Sequence, residues 1–151
     1  MLLELYHYYI INRPERTIKF ISFAAEEVGL IGSYYYTQQN DLSSISFVLN
    51  LDLYGAGSKG VTVVNGKVFE SFFNILTKIN DNFNLVSKIK ARGEAANSDH
   101  YYFSKKGIPA FFVYSNGSVG GYHNVEDRPE KLEKGYFNSL FLLLRHFLDT
   151  I

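Results

Sequence analysis

The 151-residue sequence predicts a three-layer α/β domain, with a mostly parallel, twisted sheet of about five strands and helices on both faces. Three short runs of almost continuous apolar residues, at positions 18–24, 47–51 and 108–113, are typical of strands that are covered on both faces. Stretches with helical spacing of apolar residues lie between them, and that alternation favours a parallel sheet. We therefore expect these three runs to be central strands of the sheet.

The remaining elements follow from local patterns along the chain. Apolar residues recur near helical spacing from residue 2 to residue 10, and Asn12-Arg13-Pro14 ends that helix because proline disfavours helical backbone in the preceding residue. The other predicted elements, in order, are a strand over 17–25, a helix over 28–39, a strand over 46–53, a strand over 61–64, a helix over 69–80, an edge strand over 85–89, a short helix over 101–106, a strand over 108–114 and a helix over 135–151. The glycine-rich stretch 115–132 is a long loop, and such loops are usually functional or disordered.

Composition excludes several classes of function. Lys plus Arg and Asp plus Glu each number 15, so the net charge is zero and no basic stripe indicates binding to nucleic acid or to an anionic membrane. No apolar run reaches the roughly 18 residues of a membrane-spanning helix, and the start lacks the pattern of a signal peptide. Without cysteine there is no thiolate ligand, so any metal must be held by histidine and carboxylate groups. The expected partner is a small molecule or a peptide.

Four polar groups fall at the carboxyl ends of predicted strands or in the loops that follow them: Glu26-Glu27, Asp52, Ser98-Asp99-His100 and Tyr122-His123. Each one alone has an ordinary structural explanation, since acids stabilise helix starts, Asp and Ser cap helices and turns, and most loop histidines are solvated. Parallel strands, however, bring all four groups to the same edge of the sheet, which is where open α/β sheets bind ligands. Their joint placement indicates a functional site.

Four segments, quoted in chain order, carry a resemblance to one family of enzymes: FISFAAEEVGLIGS, VLNLDLYG, NSDHYYFSKKGIPAFF and GYHNVED. Together they resemble the M28 family of zinc aminopeptidases, and the resemblance covers most of the chain. It implies the zinc-aminopeptidase or phosphorylase-like fold, two zinc ions in the complete family site, and hydrolysis of N-terminal residues from a peptide substrate. Two metals suit this reaction because they can stabilise both the attacking and the developing oxygen.

The resemblance also implies roles for individual residues. Glu26 corresponds to the general base that takes a proton from metal-bound water, and Glu27 to a ligand of one zinc ion. Asp52 corresponds to a ligand of the other zinc ion, and His123 completes the set beside Glu27. Tyr122 corresponds to a tyrosine that hydrogen-bonds the tetrahedral intermediate, and Asp99 corresponds to an acid close to the metals or the substrate.

The sequence departs from the family in its number of ligands. In the family, a His-x-Asp segment and then the bridging Asp precede the helix that residues 1–9 resemble, and neither precedes it here. His7 and His100 do not match either motif, so three of the five expected protein ligands remain. We therefore expect residues 1–151 to form a single M28-like peptidase domain, incomplete at its N-terminus, that binds zinc weakly or not at all and is inactive by itself. Without the upstream strands, one flank of the sheet is expected to be exposed, where a second copy could pair to form a homo-oligomer.

Two other functions stay open at this point. Glutaminyl cyclases share the architecture but use one zinc ion for intramolecular acyl transfer, and they typically carry a Trp before the late His, where this chain has Tyr122 and no Trp anywhere. A non-catalytic relative, like the protease-like domain of transferrin receptors, keeps the fold and acts by binding; the missing ligands favour it. An enzyme is favoured by four retained residues, Glu26, Glu27, Asp52 and His123. The compartment is left open, although many relatives are exported.

Overall fold

The computed structural model describes residues 1–54, 59–117, 125, 128, 130 and 136–151. In chain order, the elements within these ranges are α1 (Leu2–Ile11), α2 (Ile31–Gln39), β1 (Val48–Leu51), β2 (Val61–Val64), α3 (Glu70–Phe83), β3 (Ile89–Ala91), α4 (His100–Lys105), β4 (Ala110–Ser115) and α5 (Phe137–Thr150). The strands form one sheet with helices packed against it, which confirms the predicted α/β fold class. None of the helices in these ranges is long and apolar enough to cross a membrane.

The sheet has the strand order β1-β4-β2-β3. β1 and β4 pair in parallel, as do β2 and β3, whereas β2 and β4 run antiparallel to each other. Val63 of β2 lies beside Val113 of β4 on one side and Ala91 of β3 on the other. Every residue of β2 is buried, and so are all but one of the residues of β4. These two inner strands are the centre of the sheet.

Helices cover both faces of the sheet. On one face, Leu76 of α3 and Phe147 of α5 belong with Phe111 of β4 to the main hydrophobic core, and each is 0% exposed. On the other face, Phe103 of α4 packs with Ala110 of β4 and with aromatic side chains of α2 and of the segment before it. Ala110 and Phe111 face opposite layers because successive side chains of a strand alternate. The result is the three-layer architecture that the apolar pattern predicts.

Two of the three expected central strands are not central. Residues 17–25 pair with no strand among the described residues, so the predicted strand over 17–25 is wrong. The run 47–51 forms β1, an edge strand of half-buried residues. Apolar patterning reports how side chains are buried, but a strand also needs a neighbouring backbone, and none of the described strands lies beyond β1. The run 108–113 is central as predicted, within β4.

Two boundaries differ from the prediction for local reasons. α2 begins at Ile31 rather than at residue 28, because Ala25 and Leu30 adopt left-handed backbone angles (φ 60° and 59°) within a tight turn. The edge strand β3 begins later than the predicted residue 85, because Asn80 bonds to the backbone of Val86. The Asn80 amide donates to the Val86 carbonyl (3.0 Å) and accepts from the Val86 N–H (2.8 Å). A side chain thereby takes backbone groups that a partner strand would otherwise bond.

Candidate active site

The Glu26-Glu27 pair lies in the tight turn that precedes α2. The Gly29 N–H donates to the Glu26 carbonyl (3.0 Å), and the Gly32 N–H donates to the Ala24 carbonyl (3.1 Å). A Cβ at Gly32 would collide with that same carbonyl oxygen. Glycine at position 32 therefore allows the first turn of α2 to pack against the backbone just before the two acids. The backbone of the turn sets where both carboxylates can reach.

Asp52 follows the last residue of β1 and is held by side-chain hydrogen bonds. The Ser98 hydroxyl donates to the Asp52 carboxylate (Oγ to Oδ2, 3.2 Å), and the Asn50 amide donates to the Ser98 hydroxyl (Nδ2 to Oγ, 2.6 Å). Ser98 is 1% exposed, so water competes little for these bonds. Asn50 was not predicted as part of the site. Its signal in the sequence is an amide two positions before the strand-end acid, hence on the same face of an otherwise apolar strand.

Asp99 immediately precedes α4 and is 9% exposed. Burial raises the pKa of its carboxyl group and the charge of Asp52 adds to that rise, whereas a hydrogen bond with Ser33 opposes it. Its Oδ1 atom has no hydrogen-bond partner among the described residues. The carboxyl group of Asp99 therefore keeps its proton more readily than that of a surface aspartate.

His100 follows Asp99 and is 0% exposed, with its ring against Phe112 at a centroid distance of 5.6 Å. Burial lowers the pKa of its imidazole to about 4, and the nearby backbone carbonyls of Ser98 and Ala95 oppose that shift only in part. Neither ring nitrogen has a partner in hydrogen-bonding geometry within the described chain. The imidazole is therefore neutral at pH 7 and its hydrogen-bonding capacity is unused there.

One cleft of about 960 Å³ is lined by four of the predicted site residues: Glu26, Glu27, Asp52 and Asp99. Ser98 and His100 line it as well. Within it, Glu26 is half-buried and Glu27 is exposed. The other two predicted residues, Tyr122 and His123, lie outside the described residues. The structure thus brings the four described acids to one cavity, while the roles of all six residues stay predictions.

The acids of the cleft have donor atoms that suit zinc. Zinc accepts carboxylate oxygens, and Glu27 and Asp52 offer them. Within the described ranges, however, no group of three or more His, Asp or Glu side chains is arranged to hold a metal ion. Because a catalytic zinc usually has three protein ligands, these residues supply suitable chemistry but not a complete zinc site.

Comparison with known sequences places these residues in a family. The sequence matches Peptidase family M28 over residues 1–148. Aminopeptidase YwaD of Bacillus subtilis is 30% identical to it over 137 residues, which is 80% of this chain and 29% of that protein. The matched segments cover between 6% and 29% of the length of three curated relatives, so this chain spans only part of each of them.

Solved structures show the same architecture. The fold is similar to the crystal structure of a zinc aminopeptidase from Bacillus subtilis, with a TM-score of 0.84 and 21% identity over 97% of this chain and 38% of that one. It is also similar to a glutaminyl cyclase from Porphyromonas gingivalis, with a TM-score of 0.70 and 14% identity over 99% of this chain and 59% of that one. These two likenesses show the fold alone. The family match over nearly the whole sequence, together with the similarity to YwaD, shows that this chain belongs to peptidase family M28.

Proposed function

We propose that this chain is the part of a zinc-dependent aminopeptidase that carries the general base and three of the metal ligands. Glu26 is the base, and Glu27, Asp52 and His123 are the ligands. The observation that supports this most directly is the shared cleft, because the base and two of the ligands line it. The substrate is a peptide, from which the complete enzyme removes the N-terminal residue.

Each of these residues has surroundings that suit its task. A zinc ion, when bound, supplies a Lewis acid that makes a coordinated water more acidic. Glu26 is half-buried in its turn, and a carboxylate base has only to come within hydrogen-bond reach of the proton that it accepts. Glu27 is exposed beside it, so the two carboxylates can face different directions. The bond from Ser98 orients the Asp52 carboxylate, as outer hydrogen bonds commonly do for metal ligands.

Two more residues act around that centre. Tyr122 donates a hydrogen bond where negative charge develops on the substrate oxygen, which is the kind of stabilisation that contributes most to acyl-transfer catalysis. Asp99 is a supporting acid next to the substrate. Burial raises its pKa, so its carboxyl group can act as a hydrogen-bond donor more readily than that of a surface aspartate.

The 151-residue chain is proposed to be inactive when it is alone. Three ligands could hold one zinc ion, but the further Asp that the family resemblance implies for a second metal is not among them. Loss of an outer hydrogen bond alone lowers metal affinity by about 10–100-fold, so loss of direct ligands costs more. Zinc binding by the short chain is therefore weak or absent.

Glutaminyl cyclase activity is the second candidate, and the likeness to a solved glutaminyl cyclase supports the fold that both activities share. The sequence favours the peptidase. Tyr122 stands where the cyclases typically carry a Trp, and the chain has no Trp. The two activities differ in product, since a cyclase converts an N-terminal glutamine without releasing a residue.

The test compares the 151-residue chain with a longer protein that adds an upstream segment carrying the missing His-x-Asp and Asp motifs, on aminoacyl-nitroanilide substrates with added zinc. The longer protein should release nitroaniline and the short chain should not. In the longer protein, Glu26→Gln should lower kcat by at least about 100-fold, because it removes the base. Glu70→Gln, an exposed acid in the first turn of α3, is the matched control and should leave kcat unchanged.

Two results would contradict the proposal. Turnover by the short chain that Glu26→Gln abolishes would show that the missing ligands are dispensable. Full turnover by the longer Glu26→Gln variant would show that Glu26 is not the base.

A further inference from the structure

Strand β3 carries three basic side chains at the edge of the sheet that lies farthest from the cleft-lining strand β1. Lys88, Lys90 and Arg92 occupy alternate positions, and all three are exposed. Ile89, which lies between two of them, packs against the main hydrophobic core beneath α3 and α5. Because successive side chains of a strand point to opposite faces, the three basic side chains stand together on the other face of the sheet. Lys88, Lys90 and Arg92 are called the basic row below.

The backbone of β3 has one side open for pairing. The Val61 N–H donates to the Lys88 carbonyl (2.8 Å), so the residues of the basic row direct their backbone groups towards β2. In a parallel pair, successive residues direct their N–H and C=O groups to alternate sides, so Ile89 and Ala91 direct theirs away from β2. No strand of the described chain lies on that side of β3. Ile89 and Ala91 therefore offer two N–H and two C=O groups to an added strand.

The charges of the basic row have no internal counterpart. Within the described ranges, none of its side chains makes an ion pair. Glu94, the acid that follows the row most closely in the sequence, is exposed. Two more exposed lysines lie where β2 begins and ends: Lys59, and Lys67, whose N–H donates to the Arg92 carbonyl (3.2 Å). Since the whole chain is neutral, this edge carries a local surplus of positive charge.

The basic row limits which strands can pair with β3. Charged residues on an edge strand commonly prevent pairing with other chains, and like charges opposite each other on two strands are unfavourable. Antiparallel pairing of β3 with β3 of a second copy would place two basic rows side by side on one face. A strand with acidic side chains on that face has the opposite sign, and its side chains would lie about 4.5–5.5 Å from the row, measured between Cβ atoms.

We propose that the open edge of β3 binds an extended acidic segment of a partner protein, which adds to the sheet as a further strand. The backbone of the segment bonds to Ile89 and Ala91, and its acidic side chains, at alternate positions, pair with the basic row. The residues between them are apolar, because they lie on the face where Ile89 packs against the core. In such strand addition, backbone bonds supply affinity and alternate side chains supply specificity.

Two features favour a polypeptide partner and an independent site. A nucleic acid could contact the positive charges, but it has no backbone that pairs with Ile89 and Ala91 in a sheet. The edge of β3 is separated from β1 by two strands, β2 and β4. The proposal therefore does not depend on peptidase activity or on a metal in the cleft.

The test is an NMR titration of the 151-residue chain with a short blocked peptide of alternating glutamate and valine. The amide signals of Ile89 and Ala91 should shift, and their hydrogen exchange should slow by at least about tenfold. The amides of β1 should not change, because acids line the cleft beside it. A peptide with lysine in place of glutamate should not bind. The glutamate–valine peptide methylated at every backbone nitrogen keeps its charges but lacks donors, and should bind at least about tenfold more weakly.

Charge reversal in the basic row tests the side-chain contribution. Lys90→Glu should weaken binding of the glutamate–valine peptide by about tenfold and should strengthen binding of the lysine–valine peptide. Lys78→Glu, an exposed lysine of α3, is the matched control and should change neither affinity. The amide signals of β2 and β4 report whether each variant keeps the fold. Arg92→Glu carries the test if Lys90→Glu disturbs the sheet.

Three outcomes would overturn the proposal. Unchanged signals of Ile89 and Ala91 at the highest peptide concentration would mean that the basic row only protects the edge from pairing. Equal binding of the methylated and unmethylated peptides would mean that charge attracts the peptide without an added strand. Tighter binding of a single-stranded oligonucleotide of the same charge would assign the edge to nucleic acid.

Discussion

The inner strands β2 and β4 differ from two segments that line the cleft, residues 17–23 and β1. The difference lies in how deeply the residues are buried and in how many backbone hydrogen bonds they make. Val61 and Val63 of β2 are 0% exposed, and β2 is hydrogen-bonded to a strand on each side. β1 is half-buried and paired on one side, and residues 17–23 are unpaired among the described residues. The predicted base Glu26 and the predicted ligands Glu27 and Asp52 line the cleft, on the side with fewer backbone hydrogen bonds. The difference indicates that the inner sheet with α3 and α5 is the more stable part of the described chain, and that the segments lining the cleft open more easily.

The largest expected effect contrasts one phenylalanine from each region. Phe111→Ala empties a site of β4 that is 0% exposed and packed against Phe47 and Phe147, so the free energy of unfolding should fall by about 3–5 kcal/mol. Phe20→Ala on the cleft wall removes a half-buried ring and should cost about 1 kcal/mol. Urea unfolding of both variants measures the difference. Equal losses would show that the cleft wall contributes as much to the core as β4 does.

The next effect concerns acid stability and His100. The pKa of its imidazole is lowered to about 4 in the folded state, whereas the unfolded value is about 6.5. Between these two values the unfolded state binds more protons, so the free energy of unfolding should fall as pH drops from about 6.5 to about 4, by up to about 3 kcal/mol. Asp99, whose pKa is raised by burial, acts in the opposite direction and is present in every variant.

Variants isolate that contribution. His100→Gln cannot titrate, so its free energy of unfolding should depend less on pH across this window than that of the unsubstituted chain. His7→Gln changes an exposed histidine and should keep the original dependence. Identical pH profiles for His100→Gln and the unsubstituted chain would show that burial does not lower the pKa of the His100 imidazole.

A smaller effect separates two glycines. Gly32→Ala forces a methyl group against the Ala24 carbonyl in the turn that carries Glu26, and it should destabilise the chain by about 1–3 kcal/mol. Gly93 has open space where a Cβ would project, so Gly93→Ala should change the free energy of unfolding by less than about 0.5 kcal/mol. Thermal or urea unfolding of the two variants decides the matter, and a neutral Gly32→Ala would mean that α2 can move away from the turn.

Sequence patterns predict the inner strands better than they predict the segments that line the cleft. The strand at 61–64 is found at the predicted residues, and the run 108–113 lies within the central strand β4, because apolar patterning reports burial and both strands have neighbours. The strand predicted over 17–25 is wrong for the opposite reason. Its apolar pattern is real, but the partner backbone that would make it a strand is absent from the described chain.

The site was predictable only in part. The four acids that line the cleft could be found because strand ends and motif order mark them, although their roles stay predictions. The hydrogen bond between Asn50 and Ser98 could not, since it joins residues 48 positions apart whose contact depends on tertiary packing. The bond from Asn80 to Val86 spans only six positions, yet the apolar pattern does not reveal it either. Side-chain bonds that compete with backbone pairing leave little trace in periodicity.

The most direct test of the contrast between the two regions is residue-resolved amide exchange in the 151-residue chain, with no further polypeptide added. The amides of β2 and β4 should exchange only through global unfolding, and those of residues 17–23 should exchange through local opening at least about 100-fold faster. Equal protection of residues 17–23 and β4 would contradict the account, because it would mean that the cleft wall already has a backbone partner within this chain.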